Sequence, residues 1–168
     1  LELAHAEMAV TLTLEDEIDV SRGDILAHPE NIPASGIKFD ATIVWMAETP
    51  LLPGNTFDFK LGSKMVSGRL NTIHNRIDVN TLEKVPAPGL ELNEIGLAEI
   101  NLDEIVCFDS YKDNRATGSF IIIDRLSNVT VGAGMIDCEQ QPRRERSDSK
   151  NIIVAKEERA ARYGQKPA

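Results

Sequence analysis

The chain has 168 residues, of which 42% are hydrophobic and 27% charged, enough apolar material for one domain with a core and too much for a disordered or fibrous chain. A formal net charge of −9 opposes docking to nucleic-acid phosphates or an anionic membrane, and the longest apolar runs, such as 119–124, fall far short of the ~18–20 residues of a spanning helix. Two cysteines, Cys107 and Cys138, exclude a disulfide framework, and the scattered His5, His28 and His74 have no metal-ligand spacing, so a reduced, cytoplasmic setting without a metal site is expected.

Residues 1–10 carry two acids and no Lys or Arg, unlike the basic start of a secretory signal, and the chain does not begin with Met, so a piece of a longer protein is expected. Val10, Leu12 and Leu14 alternate with Thr11 and Thr13, the period of a half-buried strand. The same period returns in Ile37, Phe39, Ala41, Ile43 and Trp45, set against Lys38, Asp40 and Thr42. Further β-rich runs are predicted at 56–61, 65–79, 94–102, 105–108, 119–124 and 129–136. They are punctuated by Pro53-Gly54-Asn55, Leu61-Gly62-Ser63 and Pro86-Ala-Pro-Gly89. In 65–79 the apolar positions Val66 and Leu70 give way to Ile73, Ile77 and Val79, a change of parity that a β-bulge or corner would produce. No long helix is predicted before residue 140. The layout is all-β, and many short strands imply a closed barrel or a sandwich, because only closure or stacking hides both the apolar face and the edges.

Composition changes near Cys138. Residues 139–168 hold eight basic and five acidic side chains, a net +3, so the preceding 138 residues carry −12. The stretch 140–149, with Arg143, Arg144 and Arg146, has no apolar residue to offset the entropy of ordering and reads as a linker rather than an RNA site, since no aromatics interleave its arginines. Residues 154–162 are good helix formers stopped by Tyr163-Gly164, so the charged tail is predicted to be partly helical, and marginal alone.

Catalytic chemistry is sparse. No GxxxxGK[ST] loop occurs, Leu61-Gly62-Ser63-Lys64 lacking the upstream glycine and reading as a hairpin turn, and the DxxG and NKxD elements of GTPases are missing. Glu15-Asp16-Glu17 and Asp103-Glu104 are candidate acid/base pairs by residue type, but they lie in polar stretches and read as solvated acidic loops. His74 reads as a half-buried or surface strand residue, Cys107 as a buried small hydrophobe, and the Asn128-Val-Thr130 sequon as meaningless without secretion.

Asp19-Val-Ser-Arg-Gly-Asp-Ile-Leu-Ala-His-Pro29 resembles the end of the second domain of translation elongation factor GTPases, and Asn128-Val-Thr-Val-Gly-Ala-Gly-Met-Ile136 resembles the strand closing their third domain. The intervening chain instead resembles the large, GTPase subunit of bacterial sulfate adenylyltransferase. The residues that carry this are Val44-Trp45-Met46, Pro50-Leu-Leu-Pro-Gly54, Ile73-His74, Val79-Asn80-Thr81, Leu92-Asn-Glu-Ile-Gly96, Phe108-Asp109, Tyr111, Asn114-Arg-Ala-Thr-Gly-Ser-Phe120 and Ile123-Asp-Arg125. Asn151-Ile152 with Lys156-Glu-Glu-Arg-Ala-Ala-Arg-Tyr-Gly-Gln-Lys166 resembles the lead-in to adenylylsulfate kinase, as in the bifunctional fused form.

The resemblance implies the end of a second barrel at 1–32, an elongation factor Tu-like domain III barrel at 33–138, and at 139–168 a linker and the start of the kinase region. It also implies that the intact enzyme makes adenylylsulfate from ATP and sulfate, driven by GTP hydrolysis, with the kinase adding a 3′ phosphate. GTP, ATP and Mg2+ belong to the intact protein. The resemblance places no catalytic, cofactor-binding or metal-binding residue in this chain, which is expected to be inactive alone. The implied partners are the small catalytic subunit and the protein's own GTPase and kinase domains. A translation-factor-type barrel binding tRNA is the rival reading, disfavoured by the −12 body, and a free-standing hydrolase the third. Val10, Leu12 and Leu14 are expected to find cover on a second copy of the chain, as a homo-oligomer, or across the third barrel.

Overall fold

The computed structural model describes residues 4, 5 and 8–137. The chain divides into two units, Leu1–Cys138 and Glu139–Ala168, and the second, with the expected linker and short helix, lies outside the described residues. The first contains β1 (Ala34–Trp45), β2 (Thr56–Leu61), β3 (Lys64–Ile77), β4 (Lys84–Val85), β5 (Ile95–Phe108), β6 (Ser119–Ile123) and β7 (Thr130–Asp137), and no helix occurs among the described residues. Strands pair antiparallel in the order β2-β6-β7-β1-β5-β3, and β3 pairs back onto β2, closing a six-stranded barrel with β4 as a short addition on β3. Closure gives each of these six strands a partner on both sides, so none is an edge strand along its whole length.

Alternation decides what fills the barrel. Phe39, Ala41, Ile43 and Trp45 of β1, Phe57, Phe59 and Leu61 of β2, and Ala98, Ile100 and Leu102 of β5 all point inward and are buried. Each large side chain so buried is worth roughly 1.5–3 kcal/mol of transfer free energy. Phe39 sits at the centre of an aromatic cluster, its ring centroid 5.0 Å from that of Phe108 and 5.7 Å from that of Phe120. Glycines make room for these rings: Gly134 pairs with both Ile43 and Phe120 and has no side chain to compete for the interior. The Gly132-Ala133-Gly134 run therefore turns its glycines inward and its alanine outward.

The parity change expected in 65–79 is present as two register shifts in β3, between Leu70 and Thr72 and between Ile73 and Asn75. The predicted runs 94–102 and 105–108 are one strand, β5. Its pairing with β1 jumps from Gly36 opposite Val106 to Lys38 opposite Asn101, which throws Asp103, Glu104 and Ile105 outward. Gly62-Ser63 forms the two-residue β2–β3 hairpin loop with Gly62 at φ 55°, a left-handed backbone that suits glycine.

Two expectations fail. Residues 8–33 form no strand, and Val10, Leu12 and Leu14 remain 42%, 61% and 47% exposed, because the six-stranded barrel closes without them. Cys107 is exposed rather than buried, because Val106 and Phe108 take the inward positions of β5 and alternation sends the residue between them outward.

Candidate functional surface

The outer wall of the barrel has two unlike faces. Over β1, β5 and β3 it is a polar network: Lys38 Nζ lies 2.7 Å from Glu99 Oε2, Asn71 Nδ2 donates to Glu99 Oε1, and His74 Nε2 lies 3.1 Å from Asp40 Oδ1. Asn71 and His74 are the two residues skipped by the register shifts of β3, and their side chains reach carboxylates on the adjacent β5 and, across it, on β1. At the end of the same face Arg76 donates to Glu94 Oε1, while the other Glu94 oxygen accepts the backbone N–H of Glu91 at 2.8 Å.

These contacts fix the charge states. Lys38 and then Asn71 hold the Glu99 carboxyl below its ordinary range. The Glu91 N–H, followed by Arg76, does the same for Glu94. Ionised and paired, such carboxylates are poor proton donors at neutral pH and their basicity is already satisfied. The face is a cross-strand brace.

Over β1, β7, β6 and β2 the wall is different. Val44, Ala133, Ile121 and Lys60 form one outward row across the four strands, each opposite the next in register. The small Ala133 in mid-row leaves a groove of about 590 Å³, bounded on one side by Met135 and on another by the 109–118 loop carrying Tyr111 and Arg115. That loop is clamped to the barrel by Tyr111 N–H to Ile136 O at 3.0 Å and Ile136 N–H to Gly118 O at 2.8 Å. Thr117 Oγ1 donates to Asp109 within it, and the Arg115 guanidinium lies 5.9 Å from the Tyr111 ring centroid. Lys60 also borders a second depression of about 380 Å³, lined with Arg22, Lys64 and Glu104.

The other candidates lie on separate segments of the chain. Glu15, Asp16 and Glu17 are exposed in an irregular segment, far in sequence from Asp103 and Glu104, which are exposed on the β5 bulge rather than in a loop. Glu104 Oε2 lies 3.5 Å from Lys64 Nζ, which also donates to Ile105 O at 2.9 Å, so the Gly62–Lys64 stretch is a hairpin turn with a structural lysine. Asn128 is the positive-φ residue of the β6–β7 turn, where Asp124 accepts from both Ser127 N–H and Oγ. Arg143, Arg144 and Arg146 lie outside the described residues. Among the described residues no group of three or more His, Cys, Asp or Glu is arranged to hold a metal ion. Nor do the described residues include a helix N-terminus or a Gly-rich phosphate loop.

Sequence reasoning did not single out the groove. Its signal was the near-continuous apolar run of β6 and β7, in which Ile121, Ile123 and Ala133 hold the outward parity while other apolar residues hold the inward one, the pattern of strands covered on both faces.

Residues 38–137 match the GTP-eEF1A C-terminal domain-like family. The chain belongs to this family. A GTP-eEF1A C-terminal-like barrel is also the fold shared with solved structures: Sup35 complexed with GDP superposes with a TM-score of 0.58 at 19% identity, covering 64% of this chain and 26% of that one. Among curated proteins the barrel is similar to sulfate adenylyltransferase subunit 1 of Shewanella woodyi, 57% identical over 81% of this chain and 29% of that protein. The same subunit of Colwellia psychrerythraea is 53% identical over 82% and 29%. The bifunctional enzyme CysN/CysC of Rhodopirellula baltica is 44% identical over 100% of this chain and 28% of its own length. The chain thus spans under a third of the curated relatives it matches. No helix among the described residues is long and apolar enough to cross a membrane.

Proposed function

We propose that this chain is the barrel portion of a sulfate adenylyltransferase GTPase subunit of the kinase-fused type, and that it transmits nucleotide state between the catalytic parts of that enzyme. The observation that carries the reading is the 57% identity to a sulfate adenylyltransferase subunit 1 across the whole barrel, and the full-length similarity to a bifunctional CysN/CysC extends it to the tail. On this reading residues 1–32 end a second barrel, 33–138 are the third, and 139–168 lead into an adenylylsulfate kinase. The intact cytoplasmic enzyme joins ATP and sulfate into adenylylsulfate and diphosphate, with GTP hydrolysis driving the transfer and the kinase phosphorylating the product. GTP, ATP and Mg2+ are bound by the other parts. The barrel contributes surfaces rather than reacting groups, a role in keeping with ion-paired outer carboxylates and a clamped groove, and it makes no adenylylsulfate by itself.

Titration calorimetry of the chain against the small catalytic subunit, with and without residues 139–168, tests this. Binding that survives truncation supports a partner surface on the barrel. Absence of binding to either form sinks the coupling role and leaves a spacer.

A further inference from the structure

The groove over β1, β7, β6 and β2 contrasts with the polar face in how its charges are used. On the polar face Lys38 and Arg76 each hold a carboxylate. At the groove neither Lys60 nor Arg115 has a carboxylate partner among the described residues, and Arg22 in the adjoining depression has none either. Cations with no carboxylate partner among the described residues, in a body of net charge −12, are not there through a general excess of positive charge. They border a floor of Val44, Ile121 and Ala133 that is only partly covered by its own chain. An apolar floor rimmed by cations without carboxylate partners complements a protein surface with the reverse arrangement, an apolar projection bordered by carboxylates. Tyr111 and Arg115 are of the residue types that anchor such contacts, and their loop is held to β7 by two backbone hydrogen bonds, so little ordering entropy remains to be lost on docking.

We propose that this groove is the docking surface for the small catalytic subunit, which inserts a carboxylate-flanked apolar projection over Ala133 with its acids on Lys60 and Arg115. The assignment rests on the coupling reading above and adds the face, the contact residues and the chemistry required of the partner. Association should accordingly weaken with added salt, because the charged rim steers the encounter and an apolar floor alone would not respond in that way.

The experiment is calorimetry with the small catalytic subunit using the full chain, the double variant Lys60→Glu/Arg115→Glu, the floor variant Ala133→Glu, and Lys84→Glu as a control on distant β4. All four sites face outward, so equal thermal midpoints verify that the barrel is intact. The expected result is a loss of at least about tenfold in affinity for the double and floor variants and a change below about threefold for Lys84→Glu. Wild-type binding with the groove variants within about twofold of it would overturn the groove and leave the coupling role standing. Equal losses in the Lys84→Glu control would reduce the effect to net charge and overturn it too. No wild-type binding removes the coupling role and this proposal with it. A stable dimer that the groove variants make monomeric, seen by light scattering, would give the groove to a second copy of the chain.

Discussion

Gly134 of β7 stands directly opposite Phe120 of β6, and a Cβ on Gly134 would lie 2.1 Å from Phe120 Cζ. The ring cannot retreat, because its centroid is 5.7 Å from that of Phe39 and 5.9 Å from that of Phe59. Gly134→Ala is therefore expected to cost about 1–3 kcal/mol from overpacking, outweighing the ~0.4–1 kcal/mol that losing a glycine returns through the unfolded state. Thermal denaturation reads the loss. In a Phe120→Leu background the cost should shrink, and additive effects in that double-mutant cycle would refute the steric account.

Trp45 is the single tryptophan, 2% exposed, with its ring edge-on to Phe57 at 5.5 Å. Its Nε1–H donates to Thr49 O at 2.8 Å. Trp45→Phe removes that bond and part of the core volume at one stroke, for an expected loss of about 1–3 kcal/mol by denaturant titration. In the unaltered protein the emission should be blue-shifted and move to the red in one cooperative step, because the residue sits in the barrel core. Two steps would contradict a single closed barrel.

The paired carboxylates set an acid limit on stability. Glu94 and Glu99 are held below the ordinary value of 4.5, and Asp78 below 3.8 by the N–H groups of Asn80 and Thr81. In acid the unfolded chain takes up protons on these groups before the folded one does. Their contribution is thus fully present above about pH 5 and is lost as pH falls through the depressed values. Chemical denaturation between pH 7 and pH 3 should show a declining midpoint. In Glu99→Gln the decline should be shallower, and an identical slope would show that Glu99 is not one of the linked groups.

Val10, Leu12 and Leu14 are exposed and pair with no strand of the barrel. Replacing all three by Asp is expected to leave the barrel's stability, read by thermal denaturation, within about 0.5 kcal/mol of the parent, the usual range for surface sites. A larger loss would mean that the segment covers apolar surface in solution. The gain in solubility can be read from the same samples by light scattering.

Much of the barrel was legible in the chain. Strict alternation in Phe39, Ala41, Ile43 and Trp45 gave a strand with one buried face, and the parity change between Leu70 and Ile73 gave its bend. The same rule applied to Val106-Cys107-Phe108 would have placed Cys107 outside, where the apolar character of its neighbours suggested burial. Alternation misled at Val10, Leu12 and Leu14, because periodicity reports what a segment would bury and not whether a neighbouring strand is present to bury it. The candidate surface was less legible. Lys60, Ile121, Ala133 and Val44 come from four separate strands, and nothing in the local sequence of any one of them records the others.

By itself the sequence determined the class of fold, the inward and outward residues of β1, the turn at Gly62, and the family, because each rests on local period, backbone permissiveness or a run of matching residues. The tertiary structure alone decided that β3 closes onto β2, that bulged Asn71 and His74 reach carboxylates on β5 and β1, and that Lys60 and Arg115 flank one groove with no carboxylate partner among the described residues. Those are distances between residues far apart along the chain. They follow from the register and closure of the whole sheet, which no single segment encodes.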